Sequence, residues 1–140
     1  MFSKDIICGI LLSSAKFIVR IQQNDNMYLG YSVKMSIDVR AKSLPFLKAL
    51  KRALLNQNIK CQLTEKESKN RPRPLLSIRG ATNISSTLSL IPSLLPNTTD
   101  SINDFREIHD LVYNNEHKTL KGLEKILMIK GEHDGLNQHK

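Results

Sequence analysis

Ile6-Ile7-Cys8-Gly9-Ile10-Leu11-Leu12-Ser13-Ser14-Ala15-Lys16-Phe17 reads as a helix that passes into a strand. The helix is expected over Lys4–Ser14, with Ser3 placed to cap its first turn. Its middle, residues 6–12, is apolar on every side. A helix apolar all round is covered all round, which in a small domain means core on one side and a partner on the other. Gly9 and Ser13 stand four apart and share a face, where small side chains let another helix backbone come close. Ile6, Gly9, Ile10 and Ser13 are therefore the candidate helix–helix interface, with burial inside one subunit as the alternative.

Two strands follow over residues 15–23 and 28–40, joined by the turn chemistry of Asn24-Asp25-Asn26. In the second strand Tyr31, Val33, Met35, Ile37 and Val39 point one way, and Ser32, Lys34, Ser36, Asp38 and Arg40 the other. Ser43 caps a helix reaching about Gln57, with Pro45 in its first turn and Phe46, Leu47, Leu50 and Leu54 as its core stripe. A second hairpin pairs residues 59–66 with 75–79, the latter entered through Arg71-Pro72-Arg73-Pro74. Three apolar stripes then mark helices: Ile84, Leu88, Ile91 and Leu95; Ile102, Phe105, Ile108 and Val112; and Leu120, Leu123, Ile126 and Leu127, the last capped by Thr119. The order α-β-β-α-β-β-α plus two C-terminal helices predicts an α+β domain over residues 1–131 with a polar tail over 132–140. Short connections make its four-stranded sheet antiparallel, with helices covering one face.

At 140 residues the chain has the size of one domain. Its net charge of +8 is unevenly placed: residues 1–80 carry +10 and residues 81–140 carry −2. A basic half beside a near-neutral half suggests a face for a polyanion. Lys16, Arg20, Gln22, Lys34, Arg40, Lys60, Gln62, Arg71, Arg73 and Arg79 fall on one predicted surface, with Asp38 as its main acid. Ordinary solvated faces mix Glu with Lys, and this one does not. Arg, Lys and Gln on a β-ribbon read base edges and meet phosphates in the major groove, so double-stranded DNA is the expected partner. Few aromatics stand on that surface, which argues against single-strand binding by base stacking.

Other chemistries find no support. Cys8 and Cys61 read as buried thiols, and no CxxC exists. His109, His117, His133 and His139 lack metal-ligand spacing, so no metal ligands are predicted. There is no Gly-rich phosphate loop and no Ser-His-Asp arrangement. The seven-residue apolar run behind Asp5 is a poor secretory signal and far short of the ~20 residues of a membrane span. The expectation is a protein that is neither secreted nor membrane-embedded.

Residues 7–17 resemble the signature helix of the LAGLIDADG homing endonucleases and maturases. The likeness extends through Leu29-Gly30-Tyr31-Ser32-Val33, the step from Asp38 to Leu50, Ile91-Pro92, Asp104-Phe105, and His117-Lys118-Thr119 with Gly122-Leu123-Glu124-Lys125-Ile126. It covers about residues 5–131. The resemblance implies a saddle-shaped sheet on duplex DNA, signature helices packed at a two-fold axis, and Mg²⁺-dependent phosphodiester hydrolysis. One motif in a chain of this size implies a homodimer.

The sequence departs from that family at the catalytic centre. The metal-binding acid aligns with Ser14 and the motif's first acid with Leu12; no carboxylate occurs between Asp5 and Asp25. Mg²⁺ needs hard, charged oxygen ligands, and a serine hydroxyl is a poor substitute. Ser101 stands where the family often carries a basic residue before its Asp-Phe pair. The resemblance therefore implies a DNA-binding homodimer with endonuclease activity weak or lost. Two alternatives are an active endonuclease using another acid, such as Asp38 or Glu65, and an intron RNA-binding splicing helper of the maturase type. The abundance of Lys, Ile and Asn suggests an AT-rich genome, in an organelle (mitochondrion or plastid) or a prokaryotic cytoplasm.

Overall fold

In the computed structural model the Ser3 hydroxyl accepts from the Ile6 N–H at 3.3 Å, and α1 runs Lys4–Ser14 as the sequence predicts. The structure describes residues 2–27, 29–65, 70, 73–91 and 100–134. Ala15 ends α1 in extended conformation and is also the first residue of β1 (Ala15–Gln23), so no loop separates helix from strand. The following turn is longer than expected. Asn26 N–H bonds to Asn24 Oδ1 at 3.1 Å and Asn24 N–H to the Gly30 carbonyl at 2.7 Å. Gly30 closes the turn at φ +79°, a conformation that costs glycine no side-chain clash. β2 (Tyr31–Arg40) accordingly starts at residue 31, not 28.

Ser43 caps α2 (Leu44–Asn56), its hydroxyl accepting from Phe46 N–H at 3.2 Å, with Pro45 in the first turn. The helix buries Leu47, Leu50, Ala53 and Leu54, each leucine contributing ~1.5–3 kcal/mol relative to exposure. Phe46 lies partly exposed, its ring centroid 5.8 Å from that of Phe2.

β3 (Gln62–Thr64) is shorter than the predicted 59–66. Asn58 takes φ +61°, Ile59 N–H returns to the Leu54 carbonyl at 2.9 Å, and Lys60 N–H is held by Asn83 Oδ1 at 3.1 Å. Those donors are committed to α2 and to the third helix, so the ladder starts only at Gln62.

β4 (Leu75–Arg79), α3 (Ala81–Leu88), α4 (Asp100–Tyr113), a 3₁₀ turn (Glu116–Lys118) and α5 (Leu120–Asp134) complete the order. α5 thus takes in the first three residues of the predicted tail; residues 135–140, like Leu95, lie outside the described residues.

The four strands form one antiparallel sheet in the order β1-β2-β4-β3. β2 faces β4 with Ile37 opposite Ile78, Asp38 opposite Ser77 and Val39 opposite Leu76; β3 faces β4 with Leu63 opposite Leu76.

The chain gathers into two compact units. The first holds α1, α2, β3, β4, α3 and the adjoining ends of β1 and β2. Its core includes Ile7, Leu11, Leu50, Leu54, Leu76 and Ile78, all fully buried. The second unit packs Val19, Ile21, Val33 and Met35 of the β1–β2 hairpin against Ile108 and Leu111 of α4 and Ile126 of α5. There Thr119 Oγ1 accepts from Gly122 N–H at 3.0 Å, the cap predicted for α5. A Cβ on Gly122 would collide with the Glu116 carbonyl, so the 3₁₀ turn and α5 can meet only over glycine. Leu120, predicted as part of the α5 stripe, is instead 61% exposed.

Candidate nucleic-acid interface

α1 is the most apolar helix of the first unit, yet only Ile7 and Leu11 are buried along it. Ile6 is 50% exposed, Gly9 and Ser13 are exposed, and Ile10 is half-buried. The four residues predicted as a helix–helix interface thus lie along the uncovered side of α1. A Cβ on Gly9 would meet nothing within 4 Å. Its own chain therefore gives no steric reason for a glycine that costs the helix ~0.8–1.0 kcal/mol relative to alanine.

The last turn of α1 presents hydroxyls. Ser13 Oγ donates back to the Gly9 carbonyl at 2.8 Å and lies 3.3 Å from Ser14 Oγ. Ser14 is exposed at the junction with β1. These are neutral oxygens, and no carboxylate occurs from Ile6 to Asn24. Among the described residues no three His, Cys, Asp or Glu side chains converge as a metal site would need. The residues present do not fit a Mg²⁺ site at this helix end.

The polar edges of the strands follow the predicted alternation in part. In the first unit Lys16, Gln62, Arg73 and Arg79 are exposed and Arg40 is half-buried. Lys60 is exposed but lies before β3, off the ladder. In the second unit Arg20, Gln22 and Lys34 are exposed. Arg71 lies outside the described residues.

Asp38 departs from its predicted place as a surface contact: it is only 4% exposed. Its partner across the strands is Ser77, also 4% exposed, whose hydroxyl donates to Asp38 Oδ1 at 2.7 Å. Arg79 Nε–H donates to the same Ser77 oxygen at 3.1 Å. Ser32, expected on the polar face, is buried as well. Sequence reasoning placed Arg79 on the basic face and did not single out Ser77. The missing information was the register that sets Ser77 opposite Asp38, a pairing 39 residues apart.

Three further titratable groups are shifted by burial. Burial pushes the Cys61 thiol up, partly offset by nearby Lys51, and both Cys8 and Cys61 are free and half-buried. Burial lowers the His109 and His117 pKa values; Asp110 opposes the first shift and Lys118 adds to the second. Their Nε2 and Nδ1 atoms respectively are buried without a hydrogen-bond partner.

No family model matches the chain, and no curated protein matches it in sequence. Solved structures do match. The homing endonuclease I-TnaI superposes with TM-score 0.79 and 22% identity over 95% of this chain and 88% of its own. Meganuclease I-SmaMI bound to uncleaveable DNA gives 0.77 and 23% over 95% of this chain and 45% of its own. The LAGLIDADG homing endonuclease I-LtrWI bound to target DNA gives 0.76 and 20% over 95% of this chain and 44% of its own. The chain therefore spans less than half the length of the latter two. The fold expected from the signature helix is the fold these structures share.

Proposed function

Given the LAGLIDADG homing endonuclease fold, we propose that this chain is a double-stranded-DNA-binding member of that family, working as a homodimer, with strand cleavage weak or lost. The observation that carries this reading is the end of α1: an intact helix-to-strand junction that presents Ser13 and Ser14 hydroxyls where metal-assisted cleavage needs carboxylates. Exposed Lys16, Arg20, Lys34 and Arg79 supply cations for phosphates and base edges. I-SmaMI and I-LtrWI hold DNA, and each is about twice as long as the region matched here. A second copy of this chain, docked through Ile6, Gly9, Ile10 and Ser13, would supply a second such domain. Mg²⁺ has no role in this reading beyond weak, nonspecific association.

The loss of the acid beside retained cations also favours an intron RNA-binding splicing helper, which needs the basic scaffold alone. An endonuclease using Asp38 is disfavoured, because that carboxylate is buried and already accepts from Ser77.

Binding to random duplex-DNA and structured-RNA libraries, with sedimentation of the free protein, tests the proposal. A dimer that enriches a palindromic duplex is expected. A monomer at tens of micromolar overturns the dimer, and exclusive enrichment of RNA replaces DNA as the ligand.

A further inference from the structure

Asp38, Ser77 and Arg79 form a directed chain of hydrogen bonds on the polar side of β2 and β4. Ser77 has one hydroxyl proton, and it is committed to Asp38 Oδ1 at 2.7 Å. That leaves only lone pairs to face Arg79, whose Nε–H they accept at 3.1 Å. Without an acceptor at Asp38 the hydroxyl could rotate and turn its proton toward the guanidinium. Asp38 and Ser77 are buried, whereas Arg79 is exposed. The anchored part of the chain is thus rigid and its tip meets solvent.

A guanidinium is planar, so tethering Nε–H restricts the plane and narrows the orientations open to the four N–H groups of the two terminal nitrogens. Their end-on fork matches the O6 and N7 acceptors of guanine. Phosphate attraction alone would not call for this arrangement, since a buried carboxylate below Arg79 weakens the local positive field. Orientation is what the acid adds. We propose that Arg79 is a guanine-reading, specificity-determining residue, and that Ser77 and Asp38 are positioning residues that hold its fork for one base pair. This rests on the duplex-binding reading above.

The test is enrichment from a random duplex library by the full chain, alongside Arg79→Ala, Arg79→Lys, Ser77→Ala, Ser77→Thr and Asp38→Asn. The wild type should prefer guanine about tenfold or more at one position of each half-site. Arg79→Ala and Arg79→Lys should flatten that position alone. Ser77→Ala should flatten the same position while leaving the slope of affinity against salt unchanged, and adding it to Arg79→Ala should change nothing further. Ser77→Thr keeps a hydroxyl and Asp38→Asn keeps an acceptor, so both should retain the preference. A Ser77→Ala profile identical to wild type, or uniform weakening at all positions, overturns the assignment. Should the wild type bind duplexes with no base preference, the assignment fails and duplex binding stands; no duplex binding at all overturns both. In the free wild-type protein the Arg79 Nε–H should exchange with water more slowly than that of exposed Arg20. Equal rates contradict the chain even if Ser77→Ala fails to fold.

Discussion

α1 and α2 are both capped by serine and similar in length, 11 and 13 residues, yet they spend their apolar surface differently. α2 is amphipathic and turns Leu47, Leu50, Ala53 and Leu54 into the core of its unit. α1 is apolar nearly all round, buries Ile7 and Leu11, and leaves Ile6 half exposed beside a glycine that its own chain does not require. In α2 the sequence pattern is satisfied by one chain. In α1 the same chain leaves Ile6 and Gly9 exposed. Hydrophobicity beyond what the fold consumes is thus the mark of the proposed interface.

One substitution on each helix separates the two cases. Leu50→Ala should lower the unfolding free energy by ~2–5 kcal/mol, because a fully buried leucine leaves a cavity. Gly9→Leu should leave the monomer folded, since nothing lies within 4 Å of its Cβ, but should abolish the dimer. Chemical denaturation and sedimentation separate the two outcomes. Unfolding of the Gly9 variant as a monomer would mean α1 is fully used within one chain.

Strand cations should meet phosphates and helix cations should not. Replacing Lys16, Arg20 and Lys34 by Ala should reduce the slope of log affinity against log salt by about 2.7, the counterion release of three phosphates. Exposed Lys118, Lys121 and Lys125 serve as controls and should change it little. Equal losses from the two triplets would remove the strands from the account. Gly122→Ala should then cost about 1–3 kcal/mol through the forced shift at the Glu116 carbonyl, visible as a lower thermal midpoint.

The smallest expected effect is on pH. Burial holds the folded-state pKa of His109 and His117 below the ordinary 6.5, so the unfolded chain binds more protons there. Their contribution to stability is fully present above about 6.5 and is lost as pH falls below it. Denaturation midpoints between pH 7.5 and 5 should therefore fall, and His109→Gln should flatten that dependence.

Elements set by neighbours in sequence were legible before the structure. The caps at Ser3, Ser43 and Thr119 and the helix–strand junction at Ala15 involve contacts within a few residues. The readings that failed depended on partners distant in sequence or on geometry that composition does not encode. β3 is cut short because Asn83 takes the Lys60 N–H, 23 residues away. Asp38, expected at the surface, is buried and bonded to Ser77, a partner 39 residues away. Ser14 was legible as a missing acid only through its likeness to a known motif; nothing in the composition of this helix points to a lost metal site.

If the architecture persists without cutting chemistry, strand cleavage of the enriched duplex with Mg²⁺ will show it. The natural chain should bind that duplex and cut it no faster than background, while Ser14→Asp should restore Mg²⁺-dependent nicking or a Mg²⁺-dependent rise in affinity. Robust Mg²⁺-dependent cutting by the unmodified chain, abolished by Asp38→Asn, would contradict the account and move the catalytic centre from the end of α1 to the β2–β4 pair.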